Sequence, residues 1–138
     1  MEKAKQSSFQ FKSHFFKKSI IDLSGGQTDN DFNVTIEPAG LINEKERTFQ
    51  LHLKITAEDD EKTAKVEVEA VGNYTYTVGE EGHLNNFFFI NAPAILFPYI
   101  RAYIGTLTNL SGIKPINLPT FNLTNLRDRL KEKTKTIA

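Results

Sequence analysis

Asn91-Ala-Pro-Ala-Ile-Leu-Phe-Pro-Tyr-Ile-Arg-Ala-Tyr-Ile104 holds a single charged side chain, Arg101, and reads as a helix with almost no polar face. Leu96, Ile100, Tyr103, Leu107 and Leu110 recur at the three-four spacing of one helical stripe. A helix apolar nearly all round has to be covered on more than one side. One side can lie on the chain's own sheet, so the other asks for a second subunit or a ligand. Pro93 suits a first helical turn with Asn91 as cap. Pro98 removes the amide that would bond the carbonyl of Ala94, which predicts a kink or a break into two helical pieces.

Upstream, the period is two. Phe9, Phe11 and Phe15 alternate with Gln10, Lys12 and His14, the pattern of a half-buried strand running to Leu23. Phe15 and Phe16 are adjacent, so they point to opposite faces unless a bulge intervenes, and one of them is left for exposure. Ser24 to Asp31 is a turn-rich crossover loop. Phe32, Val34 and Ile36 form a short strand that Pro38 and Gly40 end. Phe49, Leu51, Leu53 and Ile55 alternate with Gln50, His52, Lys54 and Thr56, and the acidic turn at 58–62 leads into Ala64, Val66, Val68 and Ala70. Tyr74, Tyr76 and Val78 continue that parity. Gly79 to Gly82 closes the strand region, and the helical period begins at His83.

Downstream, Ser111-Gly112 ends the long helix, a proline-marked segment to Thr120 is extended, and Leu123 to Lys133 is a short amphipathic helix. Strands first and helices afterwards predict an α+β fold: a four-stranded antiparallel sheet with the Pro-broken helix and a C-terminal helix on one face. Residues 1–138 read as a single domain, with 1–8 and 134–138 frayed.

Several function classes drop out on composition. Seventeen basic side chains balance seventeen acidic ones in 138 residues, so no overall field draws the chain to nucleic acid or to an anionic membrane. Cysteine is absent, which removes thiolate nucleophiles and thiolate metal sites. His14, His52 and His83 have no ligand-like spacing, and His83 beside Glu80 and Glu81 fits a solvated turn better than a metal site. Gly25-Gly26 lacks the rest of a phosphate loop, and no Gly-x-Ser-x-Gly elbow occurs. The sequence points to no enzyme, no cofactor and no metal. The N-terminus lacks the apolar run and cleavage site of a secretory signal, which places the expected protein in the cytoplasm.

With these elements in order, the chain from about Phe9 to Leu130 resembles the bacterial protein-export chaperone family SecB. The likeness rests on Ala92, Pro93, Leu96, Phe97, Pro98, Tyr99 and Arg101, and then on Gly112, Pro115, Leu118, Pro119, Phe121 and Asn122. A weaker match runs from Glu67 to Tyr74. The resemblance implies an ATP-independent holdase, a homotetramer built as a dimer of dimers, that keeps unfolded precursor polypeptides competent for delivery to the motor SecA. It implies no nucleotide.

The resemblance also implies sites. The crossover segment lines the client groove, which nominates Phe32, Val34, Ile36, Leu41 and Ile42 together with Tyr74 and Tyr76. Phe87-Phe88-Phe89 cannot all face one core from a helix, so Phe87 and Phe88 join the client-binding set. Ordinary core packing is the competing reading for each of them. Glu67 corresponds to a motor-docking glutamate of the family's outer sheet face, and Asp22 to a second acidic docking position. Lys18 stands where a third acid is found and reverses its charge. Subunits are expected to meet through the long helix and first strand, with Tyr99, Arg101 and Tyr103 at the contact. Two other readings stay open: a SecB-like chaperone dedicated to one client such as an antitoxin, and an oligomeric binding protein that keeps the fold without chaperoning.

Overall fold

The computed structural model describes residues 9–26, 31–77, 81–116, 118 and 123–138. Four long strands come first: β1 (Phe9–Asp22), β2 (Phe32–Asn43), β3 (Thr48–Asp59) and β4 (Lys65–Tyr76). A helical run follows, made of α1 (Glu81–Asn86), a π turn (Phe87–Asn91) and α2 (Ala92–Leu110). Then come α3 (Leu123–Glu132) and a short strand, β5 (Thr134–Ile137). The sheet order is β1-β4-β3-β2-β5, antiparallel throughout except that β5 runs parallel to β2.

The expected α+β architecture is present, with four corrections. The sheet has a fifth strand, formed by residues 134–137 that the sequence reading left frayed; residues 1–8 lie outside the described residues. β2 does not stop at Pro38 but continues to Asn43. Proline is tolerated there because β2 turns the main-chain groups of its even-numbered residues away from β3. Gly40 N–H bonds Lys133, Glu44 N–H bonds Ile137 and the Ile36 carbonyl accepts from Arg129, so the missing amide of Pro38 costs no β2–β3 bond.

The other two corrections concern the helix. α2 runs through Pro98 as one element, and Asn91 lies in helical conformation inside the preceding π turn with no side-chain cap bond. The irregularity that proline was expected to cause falls instead at Phe87–Asn91, where the Ala92 amide reaches back five residues to the Phe87 carbonyl.

Two bulges decide which face each side of β1 presents. The β1–β4 register slips at Lys12 and again at Lys17. Phe9, Phe11, His14 and Phe16 therefore oppose Tyr76, Tyr74, Gly72 and Ala70 on the helix-bearing face. Simple alternation grouped Phe15 with Phe9 and Phe11; the bulges send it to the opposite face, where it is 49% exposed.

Beneath the helices, Phe49, Leu51, Leu53, Ile55 and Ala57 of β3 and Val66, Val68 and Ala70 of β4 are buried with Leu96, Ile100 and Ile104 of α2. Leu126 and Leu130 bring α3 into the same core. The helical run Leu84–Leu110 is long and apolar enough by composition to cross a bilayer, and here its buried stripe lies on the sheet. Thr108 ties α2 to the extended segment after it: its hydroxyl donates to the Ile104 carbonyl at 2.8 Å and accepts the Ile116 amide at 3.0 Å.

Tyr74 fixes where α2 begins. Its hydroxyl donates to the Ala92 carbonyl at 2.7 Å, and its ring lies over Gly72, where a Cβ would stand 2.9 Å from the phenol oxygen. Tyr74→Phe leaves that carbonyl short of a buried donor and should lower the unfolding free energy in urea by about 1–2 kcal/mol. Gly72→Ala should lower it further, because the ring and its bond have to shift together; equal stability of all three proteins in urea titrations would contradict this account.

Candidate functional site

The nominated aromatics converge, but inside the molecule. Phe9 stacks on Tyr74 at 5.1 Å and on Phe87 at 5.3 Å, and meets Phe88 edge-on at 6.2 Å. Phe49 stacks on Phe88 at 4.8 Å, and Tyr76 meets Phe88 edge-on at 5.0 Å. Tyr74, Tyr76 and Phe88 are thereby buried in this conformation, while Phe87 is half-buried. Burial pushes the Tyr74 phenol well above the ordinary tyrosine range, so it stays a donor. Phe9 and Phe49 are the centre of this layer and were not singled out from sequence; their place follows only from the strand register.

On β2 the nominated residues divide. Phe32, Val34, Ile36 and Ile42 share the helix-bearing face, because they pair with Asp59, Ala57, Ile55 and Phe49. Ile36 is buried, whereas Phe32, Val34 and Ile42 are only partly covered at the margin of the core. Leu41 pairs with Gln50 and points to the opposite face. Phe97, Ile95 and Leu107 of α2 are partly covered in the same way. The fold therefore keeps a set of apolar side chains neither buried nor free.

Tyr99 and Tyr103 stand one helical turn apart over β1. Tyr103 stacks on Phe16 at 3.7 Å, and its hydroxyl is 2.6 Å from that of Ser19. Tyr99 rests against His14 at 4.4 Å and is 44% exposed. Arg101 lies elsewhere on the helix, over the ring of Phe97 at 5.3 Å. His14 and Phe16 are neighbours of these tyrosines that simple alternation missed, because the parity change at Lys12 exists only in the pairing with β4. Leu110, at the end of α2, is 80% exposed.

The outer sheet face carries the exposed Phe15 and Ile20 together with neutralised charges. Glu67 is only 7% exposed and sits between Lys18 at 3.6 Å and Lys54 at 3.5 Å. Asp22 lies on the same face, where the hydroxyl and amide of Ser24 bond its carboxylate and hold it below the usual aspartate range. Next to them an open cleft of about 530 Å³ is lined by Lys17, Glu37, His52, Lys54, Glu69 and Arg129, charges of both signs. Among the described residues, no three His, Asp or Glu side chains are grouped to hold a metal ion.

Comparison with known proteins gives this arrangement its context. The family model described as preprotein translocase subunit SecB matches residues 9–133. The chain belongs to the SecB family. An uncharacterised protein of Methanocaldococcus jannaschii is 33% identical over 105 residues, which span 72% of this chain and 68% of that one. The protein-export protein SecB of a Ruegeria species is 26% identical over 99 residues, 68% of this chain and 60% of that protein. The chain thus spans about three fifths of that SecB relative's length. Among solved structures, the SecB-like chaperone Rv1957 of Mycobacterium tuberculosis, in complex with a ChAD peptide from the HigA1 antitoxin, shares the fold. Its TM-score is 0.70 at 17% identity, covering 83% of this chain and 88% of that one.

His52 gives the outer face of this SecB-family sheet a measurable reporter. Partial burial and then Lys17 push its pKa below the ordinary value, against a smaller opposing pull from Glu69. The unfolded chain then binds the proton first, so the contribution to stability is full above the ordinary pKa of about 6.5 and is lost as pH falls toward the folded value. Urea titrations between about pH 7.5 and 5.5 should show falling stability on the acid side, and His52→Gln should reduce the slope.

Proposed function

We propose that this SecB-family protein is an ATP-independent holdase that binds unfolded precursor polypeptides and keeps them competent for export. The observation that carries this reading is the partly covered apolar margin formed by Phe32, Val34 and Ile42 on β2 and by Phe87 and Phe97 on the helical run. Such surface rewards apolar area without requiring a particular hydrogen-bond partner, which suits a binder of many sequences. Tyr74, Tyr76, Ile36 and Phe88 support the margin from beneath, and Leu41 serves the opposite face. A holdase of this kind binds the unfolded state and lowers the concentration free to fold or aggregate. It works without catalysis, nucleotide or metal, in the cytoplasm.

Assembly is part of the reading. α2 carries one charged residue in its nineteen and leaves Tyr99 and Leu110 open to a neighbour, which supports a homotetramer built on the long helix and first strand. Tyr99, Arg101 and Tyr103 are the proposed contact residues.

One observation favours the narrower, client-dedicated version. Glu67, the proposed motor-docking carboxylate, is neutralised by Lys18 and Lys54 rather than offered to a basic partner. SecA capture by wild type and by Lys18→Glu separates the versions. Weak capture that the substitution strengthens supports a dedicated chaperone, and firm capture by wild type supports general export.

The decisive experiment mixes the protein with a denatured, slowly folding test protein while light scattering follows aggregation. Suppression without ATP, by a particle of tetramer mass, is expected; a monomer with no effect on aggregation overturns the proposal. Phe32→Ala should cost about 1 kcal/mol of client binding for a half-covered ring, or about fivefold in affinity. No single replacement in the margin should abolish binding, because a long client uses several contacts at once.

A further inference from the structure

β5 is a polar strand seated on an apolar edge. It pairs with β2 only from Gly40 to Asn43, setting Lys135 beside Leu41 and Thr136 beside Ile42. Leu41 and Ile42 point to opposite faces of the sheet, so each meets a polar neighbour where an apolar one would bury more surface. The pairing is short and parallel, and two of its bonds are Gly40 N–H to Lys133 at 3.3 Å and Glu44 N–H to Ile137 at 2.9 Å. Beyond Thr134, which is half-buried and donates its hydroxyl to the Leu130 carbonyl at 2.6 Å, its side chains add little, since Ile137 is 47% exposed and Lys135 and Thr136 are exposed. The seat itself is shaped for close approach. A Cβ on Gly40 would stand 2.6 Å from the Thr134 hydroxyl and 2.9 Å from the Phe49 ring, so glycine leaves room for both the edge residue and the core ring.

We propose that the β2 edge at Gly40–Asn43 is a strand-receiving site for an extended apolar segment of client polypeptide, and that residues 134–137 are its resident occupant, displaced when the client binds. The client strand runs parallel to β2, takes the main-chain bonds of Gly40, Ile42 and Glu44, and places consecutive apolar side chains, one on each face, beside Leu41 and Ile42. This deepens the holdase reading and rests on it. Main-chain pairing supplies affinity that is indifferent to sequence, and the alternating pockets supply a preference for β-branched and aromatic residues. Displacement also sets the threshold: a segment no more apolar than Thr-Lys-Thr-Ile gains nothing over the strand already in place.

Two substitutions move the occupant in opposite directions. Lys133 and Ile137 offer their carbonyls to β2, so Lys135, of the same parity, turns its amide toward β2. Lys135→Pro removes that amide and unlatches β5. Asn43→Cys with Ile137→Cys places the chain's first two cysteines at paired positions, and their disulfide locks β5 in place. The probe is a fluorescein-labelled peptide with a run of four valines flanked by lysines, read by anisotropy, with amide exchange following Gly40, Ile42 and Glu44.

Lys135→Pro should bind the peptide on the order of tenfold more tightly, the gain from freeing a site that its occupant holds about nine-tenths of the time. The oxidised double-cysteine protein should lose most binding and regain it on reduction. In the wild type, bound peptide should keep the three β2 amides protected while those of 134–137 exchange. If the wild type binds peptide and suppresses aggregation but neither variant changes its affinity, the edge proposal is overturned and the holdase reading stands. If Lys135→Pro instead self-associates without binding peptide better, β5 is only an edge cover and the proposal again fails. If neither wild type nor Lys135→Pro binds peptide or suppresses aggregation, both readings fall together.

Discussion

A nineteen-residue helix with one charged side chain cannot be satisfied by a single sheet, and most of this molecule follows from that constraint. The sheet covers the stripe through Leu96, Ile100 and Ile104, and the Tyr74 hydroxyl fixes the start of the helix by holding the Ala92 carbonyl. With one end fixed and one stripe buried, the remaining faces have a determined direction. Tyr99 and Tyr103 come down on β1, Phe97 lies under Arg101, and Leu110 is left at the far end. The aromatic layer of Phe9, Phe49, Tyr74, Phe87 and Phe88 closes the core at the opposite end of the helix, where the π turn enters it.

Apolar surface held open for other chains brings a hazard, since the same surface and the sheet's own edges invite self-association. The two edges are managed by different means. β1 carries bulges at Lys12 and Lys17, which interrupt its ladder and set lysines along it. Those devices are built into the strand and cannot be taken away. β2 instead has Pro38 on its outward row, Arg129 on the Ile36 carbonyl and β5 over its last turn of the ladder. Of these, β5 is the segment that brings mostly exposed side chains, which is why the reversible function is proposed for that edge.

Much of this was legible from residue order. The period-two runs located four strands and the three-four spacing located α2, because in both cases one face is buried and the pattern reports it directly. Adjacent Phe15 and Phe16 announced an irregularity, but its position depends on pairing with β4, which no local window contains. Pro38 misled because the cost of a missing amide depends on whether that amide had a partner, and tertiary position decides that. At Pro98 the bond to the Ala94 carbonyl is given up and α2, packed on the sheet on both sides of the proline, continues regardless. β5 was illegible because Thr-Lys-Thr-Ile has no apolar alternation of its own and forms only against a strand already in place. For the site, the aromatic identities were visible while their burial was not, since Tyr74 and Phe88 look the same in sequence whether they face a core or a groove.

The π turn at Phe87–Asn91 carries one more residue than an α-helical turn would hold. Neighbouring residues on an α-helix differ by about 100° in direction, so absorbing that surplus residue offsets everything before it by about that angle relative to α2. Phe88 and Phe89 meet Phe49 from within this turn, at 4.8 and 6.5 Å between ring centroids. The extra residue thus acts as a spacer between two gears: it sets the angular phase at which the phenylalanine triplet meshes with the sheet, independently of how α2 itself is seated.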